Sequence, residues 1–593
     1  MGKLPDLRLS HCLSGNATRK EQTLPTNQRD FPLLELECHP ALRYTIRIEI
    51  RVSRVVVPSM KRFNTTGLCV PTKHYMVDIS ERIRQIKSMV DDGDYFCINR
   101  ARQYGKTTTL VELEKLLQMF YIVIDLDFQD LGEASFSNEY NFSGAFATAF
   151  CEGYFEQMNS EGTDACSERV HALADAAEQK KMPLLFLFRR IMEICSLSRK
   201  PIVLMIDEVD SAANNQVFLD FLAQLRSLYL KREKGKRVGT FQSVILAGVT
   251  DVRHLKAQLR PDAAHKVNSP WNIAADFNID MSLSADGIQG MLNEYEADHH
   301  TGMDTAEMAK QLRAYTSGYP YLVSRLCQLM DGEVSQTKGS LSAAWTEQGM
   351  DEAVKIVLAD RDSSLFGSLM GKLSNSPKLK GQLRRILMQG DIIPWLPDDE
   401  EQQMLSMYGF IRRERNSIVI ANRIFEMRLY QYFLGESTRN EAYRQDALTH
   451  KSIFIHEDQS LNMPLILEHF VKAQRQIHGD ADEAFLEAEG RERFLTYLSP
   501  IINGTGTYSI EEQTRDGRRM DVVIHYLGKQ YVVELKIWRG QRYNADGEKQ
   551  ILAYLDYFGL TTGYMVSFNF NQKKEPGVKR LTFGDRVLFE ATV

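Results

Sequence analysis

DYFCINRARQYGKTTTLVELEKLL, residues Asp94–Leu117, sets an apolar strand-like run, a polar loop and a run of helical spacing in immediate succession. Strand, loop, Gly-Lys-Thr and helix in that order make a phosphate cradle, because loop amides and the positive end of the helix dipole face the anion. Within it, Gly105, Lys106, Thr107 and Thr108 are the candidate nucleotide contacts: Lys106 reaches β- and γ-phosphate oxygens, and Thr107 offers its hydroxyl to Mg²⁺. The first glycine of G-x-x-x-x-G-K-[ST] is missing, and Arg100 stands in its place.

A cradle of this kind needs a carboxylate partner on a neighbouring strand. Pro201–Glu208, PIVLMIDE, is a buried-strand run ending in two acids, the pattern of a Walker B strand in which Asp207 holds the Mg²⁺ shell and Glu208 polarises the attacking water. A further apolar run, Phe241–Gly248 (FQSVILAG), leads to Val249, Thr250 and Asp251, where Thr250 is placed to sense the γ-phosphate. Arg253 and Arg260 follow it and are candidate arginine fingers, acting in cis or across the boundary of a homo-oligomer.

A second centre lies in Thr507–Gly540, TYSIEEQTRDGRRMDVVIHYLGKQYVVELKIWRG. Asp521 heads one apolar strand, Glu534 ends the next, and Lys536, two residues on, points to the same face as Glu534. Two carboxylates on adjacent strands can hold Mg²⁺ through oxygen, and the metal acidifies a water for attack on a phosphodiester. Taken alone, an Asp…Glu-X-Lys set is a common strand end with solvated charges. A helix-like Gly490–Pro500 precedes it, a helix-like Asp546–Phe558 carrying Gln550 and Tyr554 on one face follows, and one short strand, Gly563–Phe568, comes next.

This ordered set resembles the PD-(D/E)XK nuclease superfamily. The resemblance implies that Asp521 and Glu534 bind Mg²⁺ or Mn²⁺, that Glu492 supports the metal, that Lys536 orients water or stabilises developing charge, and that Gln550, Tyr554 and Arg519 hold DNA. The phrases NRARQYGKTTTL, PIVLMIDEVD, FQSVILAGVTD, NSPWNIAADF and YTSGYPYLVSRLC resemble the bacterial AAA-like ATPase families that carry such a domain at the C-terminus. In those families the first P-loop glycine is commonly absent. The resemblance spans Met60–Val593 and implies ATP and Mg²⁺ as cofactors.

A chain of 593 residues exceeds one ordinary core, and about three or four domains are expected. The expected class is α/β: a P-loop NTPase parallel sheet over 60–280, a helical lid over 281–360, a winged-helix-like domain over 361–435, a helical connector over 436–480 and a small α/β nuclease-like domain over 481–593. Gly318-Tyr319-Pro320 resembles the Gly-x-Pro element of STAND-type lids, and equally reads as a helix start with Pro in its first turn. Gly409–Ala421 reads as a β-wing whose Arg412, Arg413 and Arg415 either meet DNA or leave the module to pack on the ATPase; packing is the preferred reading.

The net charge of −6 excludes a generally basic coat for nucleic acid, but leaves room for a local basic groove formed by Arg515, Arg518, Arg519, Lys529, Lys536, Arg539 and Arg542. KREKGKR, residues 231–237, is a basic loop after a helix that reads as a solvated turn, with a DNA contact as the alternative. The eight cysteines are scattered without a C-x-x-C pair, which argues against disulfide or zinc frameworks and suits a reducing cytoplasm. No run is long enough to span a membrane, and no secretory segment is visible. Residues 1–59 read as an upstream extension before a start at Met60, although YTIRIEIRVSRVVV within them alternates like an edge strand. Two functions are expected from these features: nucleotide-regulated DNA cleavage, or an ATP-dependent switch whose C-terminal domain binds nucleic acid or a partner without cutting.

Overall fold

The computed structural model describes residues 60–158, 165–179, 182–249, 271–360, 363–388, 391–436, 441–478, 487–502, 505–513, 519–537, 541–569 and 575–593. The expectations for residues 1–59, Thr250, Arg253, Arg260, Arg515, Arg518 and Arg539 fall outside the described residues, as do the side chains of Arg519 and Arg542.

Strands β1 (Tyr95–Asn99), β2 (Ile122–Asp127), β3 (Ile202–Asp207) and β4 (Ser243–Gly248) form a parallel sheet in the order β1-β4-β3-β2. Every residue of β3 and β4 is buried, as a parallel sheet covered on both faces requires. The pleat divides β3 between two cores. Ile202, Leu204 and Ile206 join a phenylalanine-rich core with Phe142, Phe146, Phe188 and Phe221, under the helices Glu139–Gln157, Ala165–Glu178, Leu184–Leu197 and Gln216–Glu233. Val203 and Met205 face the helices Ser80–Asp91 and Lys106–Leu117 through Ile83, Ile86, Leu110 and Leu113. The two faces fix the sheet so that the C-terminal ends of β1 and β3 lie beside the loop 100–105.

The lid is built of helices Ala285–His299, Thr305–Thr316, Pro320–Leu329 and Glu347–Ala359. Their starts are set by local chemistry. The Ser284 hydroxyl accepts the Gly287 amide at 3.0 Å, and the Asp304 carboxylate accepts those of Ala306 and Glu307 at 3.0 Å. Pro320 opens the third helix, where a missing N–H costs nothing.

The winged-helix segment comprises helices Ser364–Ser374, Pro377–Met388 and Glu400–Met407, an antiparallel wing of β5 (Ile411–Glu414) and β6 (Ser417–Ile420), and helix Arg423–Glu436. It packs on the ATPase, as the preferred sequence reading has it: a Cβ on Gly409 would fall 2.8 Å from the Ala101 Cβ, and the Gln103 Nε2 donates to the Ser364 hydroxyl at 3.0 Å.

Two connector helices, Glu441–His450 and Met463–His478, lead to helix Glu487–Ile502 and a six-stranded sheet. β7 (Gly506–Gln513), β8 (Arg519–Tyr526) and β9 (Lys529–Ile537) form an antiparallel meander; Leu527 and Gly528, both at positive φ, make its second turn. Helix Gln541–Phe558 crosses over to β10 (Thr562–Phe568), parallel to β9. The expectation of one strand after this helix is corrected to three, because β11 (Gly577–Phe583) and β12 (Arg586–Thr592) form a hairpin around Gly584 that extends the sheet in the order β11-β12-β10-β9-β8-β7.

One continuous apolar core runs from Phe63 and Leu322 of the lid region through Phe425 of the winged helix and Phe470 of the connector to Val533 and Val566 of this second sheet. Among the described residues no helix is long and apolar enough to cross a membrane.

Gly409 sits at φ +82° against Ala101, so Gly409→Ala is expected to cost about 1–3 kcal/mol. Gly367→Ala, on an exposed helical position with open space around it, should instead gain up to about 1 kcal/mol. The urea midpoints of the two variants against the unaltered chain read both shifts.

Candidate nucleotide-binding and nuclease-like sites

The loop after β1 turns where the sequence demands it. Gln103 (φ +56°) and Gly105 (φ +80°) take the left-handed backbone, whereas Arg100 does not. The Arg100 side chain leaves the loop, donating to the carbonyls of Asn99 at 2.9 Å and Ile279 at 2.8 Å and stacking over Phe277. Arginine is therefore compatible with the position where a P-loop usually has glycine: no positive φ is required there, and the side chain has a berth of its own.

Lys106, the first residue of its helix, is buried, and its Nζ donates to the carbonyls of Arg100 at 3.1 Å and Ala101 at 3.2 Å. Burial pushes its pKa down, opposed by the carboxylates of Glu208, Asp207 and Asp210. The ammonium is thus held inside the loop by two oxygens that a phosphate can replace.

Thr107 Oγ1 donates to Asp207 Oδ2 at 2.9 Å, and Asp207 Oδ1 accepts the Glu208 amide at 2.8 Å. Two oxygens on adjacent corners of a Mg²⁺ octahedron are also about 2.9 Å apart, so the pair fits that ion. Glu208 occupies a left-handed position at φ +50° immediately beyond β3, and burial raises its carboxyl pKa. Thr108 is turned elsewhere, its hydroxyl accepting the Cys69 amide at 3.3 Å. One acid not anticipated from the sequence is Asp127, at the end of β2 and in register with Asp207; its signal was the acid-ended strand IVIDLD.

The lid reaches this loop. Pro320 Cγ lies 4.0 Å from the point a Gly105 Cβ would occupy, the Tyr319 hydroxyl donates to the Arg102 carbonyl, and the Tyr319 ring meets that of Tyr104 edge-on at 4.7 Å. Gly318 permits the approach: it has φ +73°, and a Cβ there would come 2.2 Å from the Leu283 carbonyl oxygen. Asp210 ties the strand ends together, its Oδ2 accepting the Val249 amide at 2.6 Å.

In the second sheet, β8 and β9 bring Asp521, Glu534 and Lys536 together. Asp521 Oδ2 accepts the Leu535 amide at 2.8 Å, and Lys536 Nζ lies 2.8 Å from Glu534 Oε1. Helix Gln541–Phe558 covers the same face: a Cβ on Gly547 would touch Lys536 Cγ at 3.5 Å. On it, Gln550 Nε2 donates to the Tyr554 hydroxyl at 2.7 Å. Burial raises the Tyr554 pKa, the Gln550 bond opposes this, and the charges of Glu534 and Asp521 add to the rise, which places the ring in the field of both acids.

Glu492 is placed differently from the sequence expectation. Its carboxylate receives Arg384 Nη2 of the winged helix at 3.0 and 3.2 Å, while the adjacent Arg491 extends Nη2 to Asp521 Oδ1 at 3.3 Å. Consecutive helical residues project about 100° apart, so one faces the sheet and the other the winged helix. Arg519 enters only as the first residue of β8.

The site is closed: Asp521 is 9% exposed, Glu534 0% and Tyr554 1%. Two acids on neighbouring strands nevertheless supply the oxygen donors that a hard divalent cation takes.

A parallel P-loop sheet with a helical lid, joined to a mixed sheet carrying Asp…Glu-X-Lys, defines a P-loop ATPase domain followed by a nuclease-like domain. Residues 70–435 match the AAA-like domain, and the chain belongs to that family. Residues 508–581 match the PD-(D/E)XK nuclease superfamily. Among solved structures the chain is similar to a Walker-type ATPase of Pyrococcus abyssi (13% identity, TM-score 0.42, 62% of this chain and 99% of that one). It is also similar to the ORC2 protein of Aeropyrum pernix (13% identity, TM-score 0.30, 60% and 94%). A third similar structure is the RuvB Holliday junction branch migration motor of Thermotoga maritima (12% identity, TM-score 0.29, 58% and 92%). No curated protein matches the chain.

Lys106→Ala removes the ammonium from the loop and is expected to weaken ATP–Mg²⁺ binding about 10- to 100-fold, the worth of a charge-assisted hydrogen bond. Isothermal titration of ATP into the two proteins measures this, and an unchanged affinity would locate the phosphates elsewhere.

Proposed function

We propose that this chain binds ATP–Mg²⁺ at Gly105, Lys106, Thr107 and Asp207, with Glu208 polarising the attacking water, and uses its nucleotide state to control phosphodiester cleavage of DNA at Asp521, Glu534 and Lys536. The observation that carries the reading is the convergence of those three side chains on one covered sheet face, with Gln550 and Tyr554 on the helix above them. The same reading divides the chain functionally at the boundaries expected from the sequence.

Asp521 and Glu534 would hold a divalent cation, which would supply Lewis acidity toward the phosphodiester and a more acidic water. The chain's own residues do the rest. The Leu535 amide fixes the orientation of the Asp521 carboxylate, and the Lys536 ammonium beside Glu534 is placed to orient water and to stabilise charge developing on phosphorus. Arg519, at the start of β8, is assigned to the DNA backbone, together with Gln550 and Tyr554.

The second reading, a non-cleaving switch, is favoured by the closed state of the site. Asp521 contacts Arg491, Glu534 contacts Lys536, and both acids are buried. The two readings meet in the winged helix, which touches the P-loop through Gly409 and Gln103 and the nuclease-like helix through Arg384. A nucleotide-driven shift of that segment would move Glu492, and with it the neighbouring Arg491, relative to Asp521.

Linear, circular and single-stranded DNA and RNA, incubated with Mg²⁺ or Mn²⁺ with and without ATP, test the proposal. The unaltered chain is expected to cleave DNA, and Asp521→Ala to cleave at least about 100-fold more slowly while binding ATP normally. Equal cleavage by Asp521→Ala would remove the site. Absence of cleavage under every nucleotide condition would favour the switch.

A further inference from the structure

The geometry points to a transition-metal site, separate from both Mg²⁺-type centres, formed by Asp446, His450 and His469 in the connector. Asp446 and His450 stand four residues apart on helix Glu441–His450, and therefore on one face. His469 comes from the facing helix Met463–His478. One ligand atom from each of the three lies within 4.8 Å of the others.

Part of the set is already at coordination spacing. His450 Nδ1 is 3.5 Å from Asp446 Oδ1. Two ligands on a tetrahedral zinc, with bonds of about 2.0–2.1 Å, are roughly 3.3 Å apart. Nδ1 also lies 2.9 Å from the Asp446 main-chain oxygen, a contact that a proton occupies when no metal does. The two imidazole rings have centroids 4.7 Å apart, which sets His469 beside the Asp446–His450 pair.

The surroundings resemble a supported site rather than a loose surface cluster. The Tyr497 hydroxyl donates to Asp446 Oδ2 at 2.9 Å, the kind of outer contact that orients a ligating carboxylate. Phe454, fully buried, packs against both histidines at 6.3 and 5.2 Å. All three ligand residues are half-buried, which leaves a path for the ion and for a water in the fourth position.

The donor set selects the metal. Two imidazoles and one carboxylate suit Zn²⁺ and neighbouring first-row ions, whereas Mg²⁺ and Ca²⁺ take oxygen alone. Tyr497 lies on helix Glu487–Ile502, which also bears Arg491 and Glu492. The ion therefore staples the two connector helices together and, through Asp446 and Tyr497, to the helix that reaches Asp521. Metal binding adds to the stability of the folded chain.

The test uses untagged full-length protein, exchanged into Zn²⁺ and then passed over a chelating resin, with metal content read by mass spectrometry. About one Zn²⁺ per chain is expected for the unaltered protein and for Asp521→Ala, falling close to none for His469→Asn and His450→Gln. Co²⁺ added to the unaltered metal-free chain should give the visible absorption of a four-coordinate ion, a readout that does not depend on any variant folding. Thermal unfolding of the unaltered chain should shift upward with Zn²⁺ and that of His469→Asn should not. Zn²⁺ content equal in the unaltered chain and both histidine variants, or Co²⁺ without such absorption, would overturn the site.

Discussion

Tyr319 is the wedge on which the arrangement depends. Its hydroxyl is bound to the Arg102 carbonyl in the phosphate loop, one edge of its ring meets Tyr104, and another meets Phe425 of the winged helix at 5.4 Å. A single buried side chain thereby touches the loop, the lid and the module that leads to the second sheet. Burying a phenol in this way requires a partner for its oxygen, and the loop carbonyl is that partner. Gly318 and Pro320 on either side let the ring enter and start the helix behind it. The position of the lid over Gly105 follows from that one insertion.

From Tyr319 outward, the molecule is layered by what each part can afford to expose. The P-loop sheet is sealed on both faces by its own helices, and β3 ends at Asp207 beside Thr107 of helix Lys106–Leu117. The winged helix presents its basic wing outward, and Arg412 and Arg413 are occupied by Glu414 and the Arg415 carbonyl. Its inner side is what matters for the rest of the chain, because Arg384 engages Glu492 there. Ordinary side-chain packing thus links the loop 100–105 to helix Glu487–Ile502 by way of the winged helix.

The juxtaposition of Gly105-Lys106-Thr107 with Asp207-Glu208 was legible because these residues are few, local and ordered, the first set after one apolar strand and the second after another. The convergence of Asp521, Glu534 and Lys536 was legible for the same reason, since they sit on a meander whose pleat fixes their face. What the sequence could not resolve was facing within a helix. Arg491 and Glu492 are neighbours, and only the tertiary placement of the winged helix decides that the arginine, not the acid, meets Asp521. Gly584-Asp585 marks the turn of the hairpin β11–β12, but neither GVKRLTF nor RVLFEAT alternates strictly, and the hairpin was not anticipated. Asp446, His450 and His469 were invisible for a different reason: two helices, separated by a turn through Phe454, must pack before the three side chains can be seen as one group.

The unbroken core from the lid to the second sheet has a consequence for how the chain can be divided. A domain tethered by a linker can be cut free and remain soluble, since its apolar residues are already its own. Here Leu383 and Leu387 of the winged helix, Phe470 of the connector and Leu498 of helix Glu487–Ile502 belong to one continuous buried cluster. Excising the C-terminal sheet would strip apolar surface on both sides of the cut, and the fragment would be prone to aggregate rather than behave as an independent enzyme. The nuclease-like sheet is less a passenger of the ATPase than a portion of the same folded body.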